Sequence, residues 1–489
     1  MPKRPSPLSY LRDNVPFVTL VVLLIATVLM GGGSRDDILS LAILRPLAVI
    51  CLGIGLITMT PEQRAAFKLP LGFMASILAL IVLHMIPLPP FIWQALPGRE
   101  LAVAAGEALG GTQPWRPISL VPYRTWNAFY AMLIPAAALV LAVQITREDH
   151  RKLLYLLIGA AMLSALWGMI QSIGGFSRGL YFYRVTNSDS PTGLFANRNH
   201  MAALQVCALP LLMLAATRAK GPRMRVVQIG CTGLGALAIM MATATGSRAG
   251  IALSLVALLA CWLVWRARPI QPADKRRRER RQTWVPYALG SFGALLLGGF
   301  AFLLTRSQSF TRISGGSTVE EYRFTVWESV VEFLPQYLPF GSGIGSFVEV
   351  FQVHEPRDLL STSFWNHAHN DWLEWILEGG IPIIILLAFA MFAYSIRMAR
   401  LFGRSKTGQF EVQLGIAGGV VLFVLGLWSG VDYPLRVPML SAFAAIASVW
   451  LAMPDAGRGL RGSSGTKSDD APDKVTAGSF ETRPAREYG

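Results

Sequence analysis

Apolar stretches of membrane-crossing length alternate with polar connections along the whole chain. About 20 apolar residues span a bilayer as a helix. Such runs occur at 15–31, 38–58, 70–87, 126–145, 153–175, 200–217, 226–245, 249–265, 284–305, 379–396, 412–431 and 434–452. This pattern predicts an all-α polytopic membrane protein with about twelve transmembrane helices. The first run ends in GGGSRDD without a small-residue cleavage site, and a second span follows at once. It therefore reads as a retained helix and not as a signal peptide. The span cores contain no Asp or Glu, and Arg45 is their one cation. Proton-coupled transporters rely on intramembrane carboxylates or histidine chains. Here the polar groups collect at helix ends, which points to surface chemistry on a lipid-attached substrate.

Composition agrees with this reading. The 489 residues are 53% hydrophobic and 15% charged, against roughly 25% charged in soluble domains. Cys51, Cys207, Cys231 and Cys261 all lie inside predicted spans, where they act as small apolar residues and suggest neither disulfides nor a zinc site.

The net charge of +15 raises the question of nucleic acid, and the placement of the charge answers it. With the N-terminus inside, the inner segments hold 30 of the 44 Lys and Arg residues, including all eight lysines. That asymmetry follows the positive-inside rule and places both termini in the cytoplasm. The run 275–281 reads as an orientation signal touching anionic lipid, with no role in binding nucleic acid. The thirteen outer cations are all arginines, whose planar donor fork suits phosphate. The tail 453–489 is rich in Gly, Ser and charge and is expected to be disordered.

The expected organisation is helices 1–9 in 1–305, a large outer loop at 306–378, and helices 10–12 in 379–452. The loop is too long to be a structureless connection. It reads as short amphipathic helices at 319–337 and 370–378, with a Gly-rich turn, PFGSGIGSF, between them. Trp327, Trp365, Trp372 and Trp375 suit the membrane interface.

Four segments carry candidate chemistry, and each has a plainer alternative. FANRNH (195–200) brings Asn197, Arg198, Asn199 and His200 to the start of a span. It is either a helix cap with interfacial polar residues or a set of donors facing an anionic substrate. TATGSRAG (243–250) is a tight outer turn whose Arg248 either snorkels to headgroups or grips a phosphate at a defined depth. In EEYRFTVWES (320–329), Arg323 either pairs with Glu320 or Trp327, or serves as a second phosphate ligand. WNHAHNDWLEW (365–375) holds His367 and His369 ahead of a D-x-x-E capping box formed by Asp371 and Glu374. A metal site, a structural cap and a general base all remain open there. A histidine at a helix start is expected to have a lowered pKa and to be a neutral base.

Taken together, the F-A-N-R-N-H segment, the S-R-A-G turn, the Arg-x3-Trp element followed by G-x-G-x-x-F, and the H-x-H-N segment resemble the O-antigen ligase and O-antigen polymerase superfamily over roughly 190–400. The resemblance implies a GT-C-like, metal-independent, inverting glycosyltransferase of the bacterial inner membrane with its active site facing the periplasm. It implies an undecaprenyl-diphosphate-linked glycan as donor and lipid A–core or a growing glycan as acceptor, with no cofactor. By position, Arg248 and Arg323 match the arginines that hold the diphosphate and His369 matches the essential histidine, with Arg198, His200, His367 and Asn370 in support. A polymerase of repeat units and a transporter of lipid-linked sugars are the rival readings.

Overall fold

A computed structural model describes residues 14–269, 318–360 and 364–454. The span expected at 284–305, the basic run 275–281 and nearly all of the tail lie outside the described residues. The labelled helices are α1 (Val15–Met30), α2 (Leu41–Thr58), α3 (Lys68–Leu83), α4 (Pro122–Ala142), α5 (Arg147–Ile173), α6 (Arg198–Arg218), α7 (Met224–Ala244) and α8 (Arg248–Arg266). They continue with α9 (Thr318–Phe333), α10 (Phe347–His354), α11 (Asp371–Gly403), α12 (Phe410–Trp428) and α13 (Pro438–Ala452). Among the described residues, eight helices are long and apolar enough to cross a membrane, and three shorter apolar helices, α1, α3 and α13, accompany them. The described residues contain no strand, only an isolated antiparallel bridge between Leu88 and Arg116. The protein is an all-helical, polytopic membrane protein.

Helix starts follow local chemistry. The Asn197 side chain accepts from the Asn199 N–H at the start of α6, and Ser247 accepts from the Gly250 N–H at the start of α8. Each satisfies a donor that the first turn leaves unpaired. The α6 helix, rich in Ala and Leu, is the most enclosed of the described spanning helices and packs on α5, α7, α8 and α12. Small residues set the closest approaches, as expected where packing rather than water drives helix association. A Cβ on Gly418 of α12 would lie 2.6 Å from the Ala447 carbonyl oxygen of α13.

One end of the bundle gathers the irregular segments. Met439 N–H donates to the Gly31 carbonyl and Ala196 N–H to the Gly32 carbonyl. Leu120 N–H donates to Ser342, tying the α3–α4 connection to the Gly-rich turn. Above this end, α9 and α10 enclose a small core of Val326, Val330, Phe333, Phe347, Val350 and Phe351. The α10 helix falls in a stretch read as turn and loop from the sequence.

The α11 helix joins the expected amphipathic helix 370–378 to the following span through a kink at Gly380 (φ +61°). Pro382 causes the break, since it has no N–H for the Glu378 carbonyl. The Gly-rich turn repairs the ladder. Gly343 N–H donates to the Glu378 carbonyl (3.0 Å), Ser342 N–H to Leu377 (3.0 Å), and Ile381 N–H to Pro339 (2.8 Å). A Cβ on Gly341 would lie 2.3 Å from the Glu378 oxygen, and one on Gly343 would lie 2.6 Å from the Ser119 Cα. Glycine is needed because backbone meets backbone there, with φ of +80° and +107°. The turn thus fixes the first two turns of α11 against the start of α4.

Candidate functional site

The H-A-H-N segment leads into α11 and is held at every residue. Asn370 is the N-cap, its side chain accepting from the Leu373 N–H (3.1 Å). The D-x-x-E box expected from Asp371 and Glu374 does not form, because both carboxylates turn to Arg436 instead. Arg436 Nε lies 3.0 Å from Asp371 Oδ1, and Nη2 lies 3.1 Å from Glu374 Oε1 and 3.2 Å from Glu378 Oε2. Burial alone would lower the Arg436 pKa, but three carboxylates hold it above the ordinary value. This clamp locks α11 to the α12–α13 connection.

Glu374 also reaches back into the segment, accepting from the Ala368 N–H (2.8 Å) and pairing with His367 Nδ1 (2.9 Å). Trp327 of α9 donates its Nε1–H to the Ala368 carbonyl (2.7 Å). His369 sits at φ +52°, a strained conformation for a residue with a Cβ, which the surrounding hydrogen bonds impose.

Asp432, in the α12–α13 connection, is the partner the sequence did not reveal. Its Oδ1 lies 3.3 Å from His369 Nδ1 and accepts from the Tyr433 N–H (3.0 Å), while Oδ2 accepts from Asn199 Nδ2 (2.6 Å). Burial tends to raise the Asp432 pKa, but the His369 hydrogen bond and the positive charge of Arg323 help hold it well below the usual carboxylate range. The His369 pKa is lowered, first by burial and then by the Arg323 charge, against the upward pull of Asp432. The direction expected for a neutral base is therefore present, with burial as its largest cause. A neutral His369 that donates Nδ1–H to ionised Asp432 leaves the Nε2 lone pair to accept a proton.

Tyr433 forms the wall between the two histidines, its ring centroid 4.3 Å from that of His367 and 4.9 Å from that of His369. Burial raises its hydroxyl pKa to about 12. His200 stands edge-on to Tyr433 at 5.0 Å, buried, and neither of its ring nitrogens has a hydrogen-bond partner among the described residues. Arg323 on α9 acts electrostatically on both His369 and Asp432, and its buried Nε has no hydrogen-bond partner among the described residues. Its expected partner Glu320 lies outside the described side chains.

The structure therefore brings His200, Arg323, His367 and His369 together around Asp432 and Tyr433. Asn370 serves as the cap. Arg198 opens α6, its N–H bonded to Asn187 (3.1 Å). Arg248 is exposed at the first position of α8, and Gly250 two residues later packs on Ala202 of α6. This contact sets the starts of α6 and α8 side by side. Among the described residues, no group of three or more His, Cys, Asp or Glu side chains is placed to hold a metal ion.

On the other side of His367, a cavity of about 150 Å³ opens between α3, α4 and α11. Its lining includes Arg35, Asp36, Arg124 and Asn127, together with Arg436 and Glu378. Arg124 bridges Asp36 and Glu349, joining the α1–α2 connection to α10.

Residues 233–388 match the model of the Wzy_C family, described as O-antigen ligase. The matched stretch includes Arg248, Arg323, His367, His369 and Asn370, whereas Arg198, His200, Asp432 and Arg436 lie outside it. No curated protein matched the chain.

Proposed function

We propose that this chain, whose residues 233–388 match the family model described as O-antigen ligase, is an enzyme of the O-antigen ligase and polymerase superfamily that transfers a glycan from undecaprenyl diphosphate to an acceptor hydroxyl. The reaction takes place at the periplasmic face of the bacterial inner membrane, and in the ligase reading the acceptor is lipid A–core. The observation that carries the proposal is the His369–Asp432 pair facing Arg323.

In the proposed step, His369 Nε2 takes the proton of the acceptor hydroxyl as its oxygen attacks the anomeric carbon. The bond from that carbon to the diphosphate oxygen breaks, the diphosphate leaves with the electron pair, and the configuration inverts. Asp432 orients the imidazole and stabilises the imidazolium that forms. A positioned general base of this kind contributes about 10²–10⁴-fold. Arg323 and Arg248 stabilise the charge that develops on the diphosphate, the larger part of catalysis where charge moves. Arg198 and His200 flank them from the first turn of α6. His200, whose ring nitrogens lack a partner among the described residues, is a ready ligand for a sugar hydroxyl or phosphate oxygen.

The test is complementation of a deletion strain with the wild type and with His369→Ala and Arg248→Ala, following surface glycan and membrane insertion. Loss of glycan from inserted variants is the expected result, and normal glycan in both overturns these roles. Loss of all lipopolysaccharide-linked chains with accumulating lipid-linked polymer identifies a ligase, and single-repeat caps identify a polymerase.

A further inference from the structure

The site has two histidine–carboxylate pairs, and they face different surroundings. His369–Asp432 lies under Arg323, where positive charge prevails around one carboxylate. His367–Glu374 borders the cavity between α3, α4 and α11. The cavity's charged lining balances, with Arg35, Arg124 and Arg436 against Asp36, Glu374 and Glu378. A dianionic or trianionic diphosphate gains little from such a surface, since each arginine already meets a carboxylate. A neutral polyhydroxyl group fits it better, because charge-paired side chains still offer hydrogen-bond donors and acceptors. Phe347, Phe364 and Trp375 add aromatic walls, Asn127 and Asn366 add amides, and Ile77 and Met132 line the side toward the membrane helices. The volume is roughly ten times the ~10–15 Å³ that one water needs, enough for a sugar ring.

We propose that this cavity is the acceptor subsite, that it takes a neutral sugar ring of a lipid-borne acceptor, and that His367 is its specificity-determining residue. The inference rests on the transfer reaction proposed above. His367 Nδ1 is engaged by Glu374, and Arg436 fixes that carboxylate in turn. The imidazole therefore presents Nε2 to the sugar at a set angle. The sugar ring bound there lies on the His367 side of Tyr433, and its reacting hydroxyl reaches past the Tyr433 edge to His369 Nε2. The donor diphosphate occupies the Arg323 side. This division keeps the two lipid-borne substrates apart until their reacting ends meet.

The first experiment uses the full chain with Ala131→Cys on the cavity wall. The native cysteines lie in membrane helices, three of them buried. Labelling by a charged maleimide is measured with lipid A–core and, separately, with undecaprenyl diphosphate. Protection by lipid A–core alone supports the proposal, while protection by undecaprenyl diphosphate alone, or by neither, overturns it. The second experiment measures transfer by His367→Gln. The expected result is a rise of roughly tenfold in acceptor KM, about one hydrogen bond, with donor KM unchanged. A change confined to donor KM, or none in either KM, overturns the role of His367. Should the wild type transfer no glycan while lipid A–core still protects the cysteine, the reaction fails and the subsite stands.

Discussion

Asp432→Asn isolates charge from shape at the centre of the site. The Asp432 oxygens accept from His369 Nδ1 at 3.3 Å, the Tyr433 N–H at 3.0 Å and Asn199 Nδ2 at 2.6 Å. An asparagine can keep its oxygen toward His369 and Tyr433 and turn its amide toward Asn199, whose own amide can rotate to accept. Geometry and tautomer then survive, and the loss is the carboxylate's attraction for the imidazolium formed as the acceptor proton moves. Two unit charges about 4 Å apart interact by about 4 kcal/mol at an effective dielectric near 20. At about 1.4 kcal/mol per decade, that predicts a fall in kcat of about 10²–10³-fold. The pH profile supplies an independent sign. His369 titrates below its ordinary 6.5, so the base is present at neutral pH and activity falls as pH drops through the lowered value. Asp432 pulls that value upward, so its removal moves the acid limb to still lower pH. The assay is transfer by purified protein between pH 4 and 8, with size-exclusion in detergent to establish folding. A folded Asp432→Asn protein with wild-type kcat and an unmoved acid limb would refute the dyad.

Arg323→Lys should retain charge but lose the bidentate fork. It should recover only part of the activity lost in Arg323→Ala, as read from single-turnover rates at saturating donor. Arg436→Met should lower stability by about 3–5 kcal/mol, because three buried carboxylates lose their common partner. A melting temperature equal to wild type in detergent would contradict the clamp. Gly380→Ala should also destabilise the fold, since its Cβ would meet the Pro339 oxygen at 2.2 Å at a φ of +61°. Ala at the exposed Gly179, where a Cβ meets nothing within 4 Å, is the matched control.

The spans were legible because twenty-residue apolar runs have few other uses, and the described helices fall on them within a few residues at most ends. The kink at Gly380 and the turn at 341–345 were legible only as irregularity. Which carbonyls the glycines would serve depends on contacts between Leu377 or Glu378 and residues some 35 positions away. At the helix start, Asn370 and Asp371 are adjacent residues of similar capping strength. A distant arginine decided between them by drawing Asp371 away. Asp432 was hardest to find, because a lone Asp before Tyr-Pro in a short connection reads as a turn residue. Its one signal was position, a carboxylate on the same end of the bundle as the histidines, and only the packing of α12 and α13 against α6 and α11 gave it a partner. His200 stood out by residue type, yet its place beside Tyr433 required the fold.

Transfer in proteoliposomes from an undecaprenyl-diphosphate-linked glycan to lipid A–core, measured for the wild type and for His369→Ala, decides whether His369 is the base. The wild type should form the glycosylated acceptor and release undecaprenyl diphosphate one for one. His369→Ala, folded and still binding donor, should form about 10²–10⁴-fold less product. Equal rates from the two proteins would contradict that role.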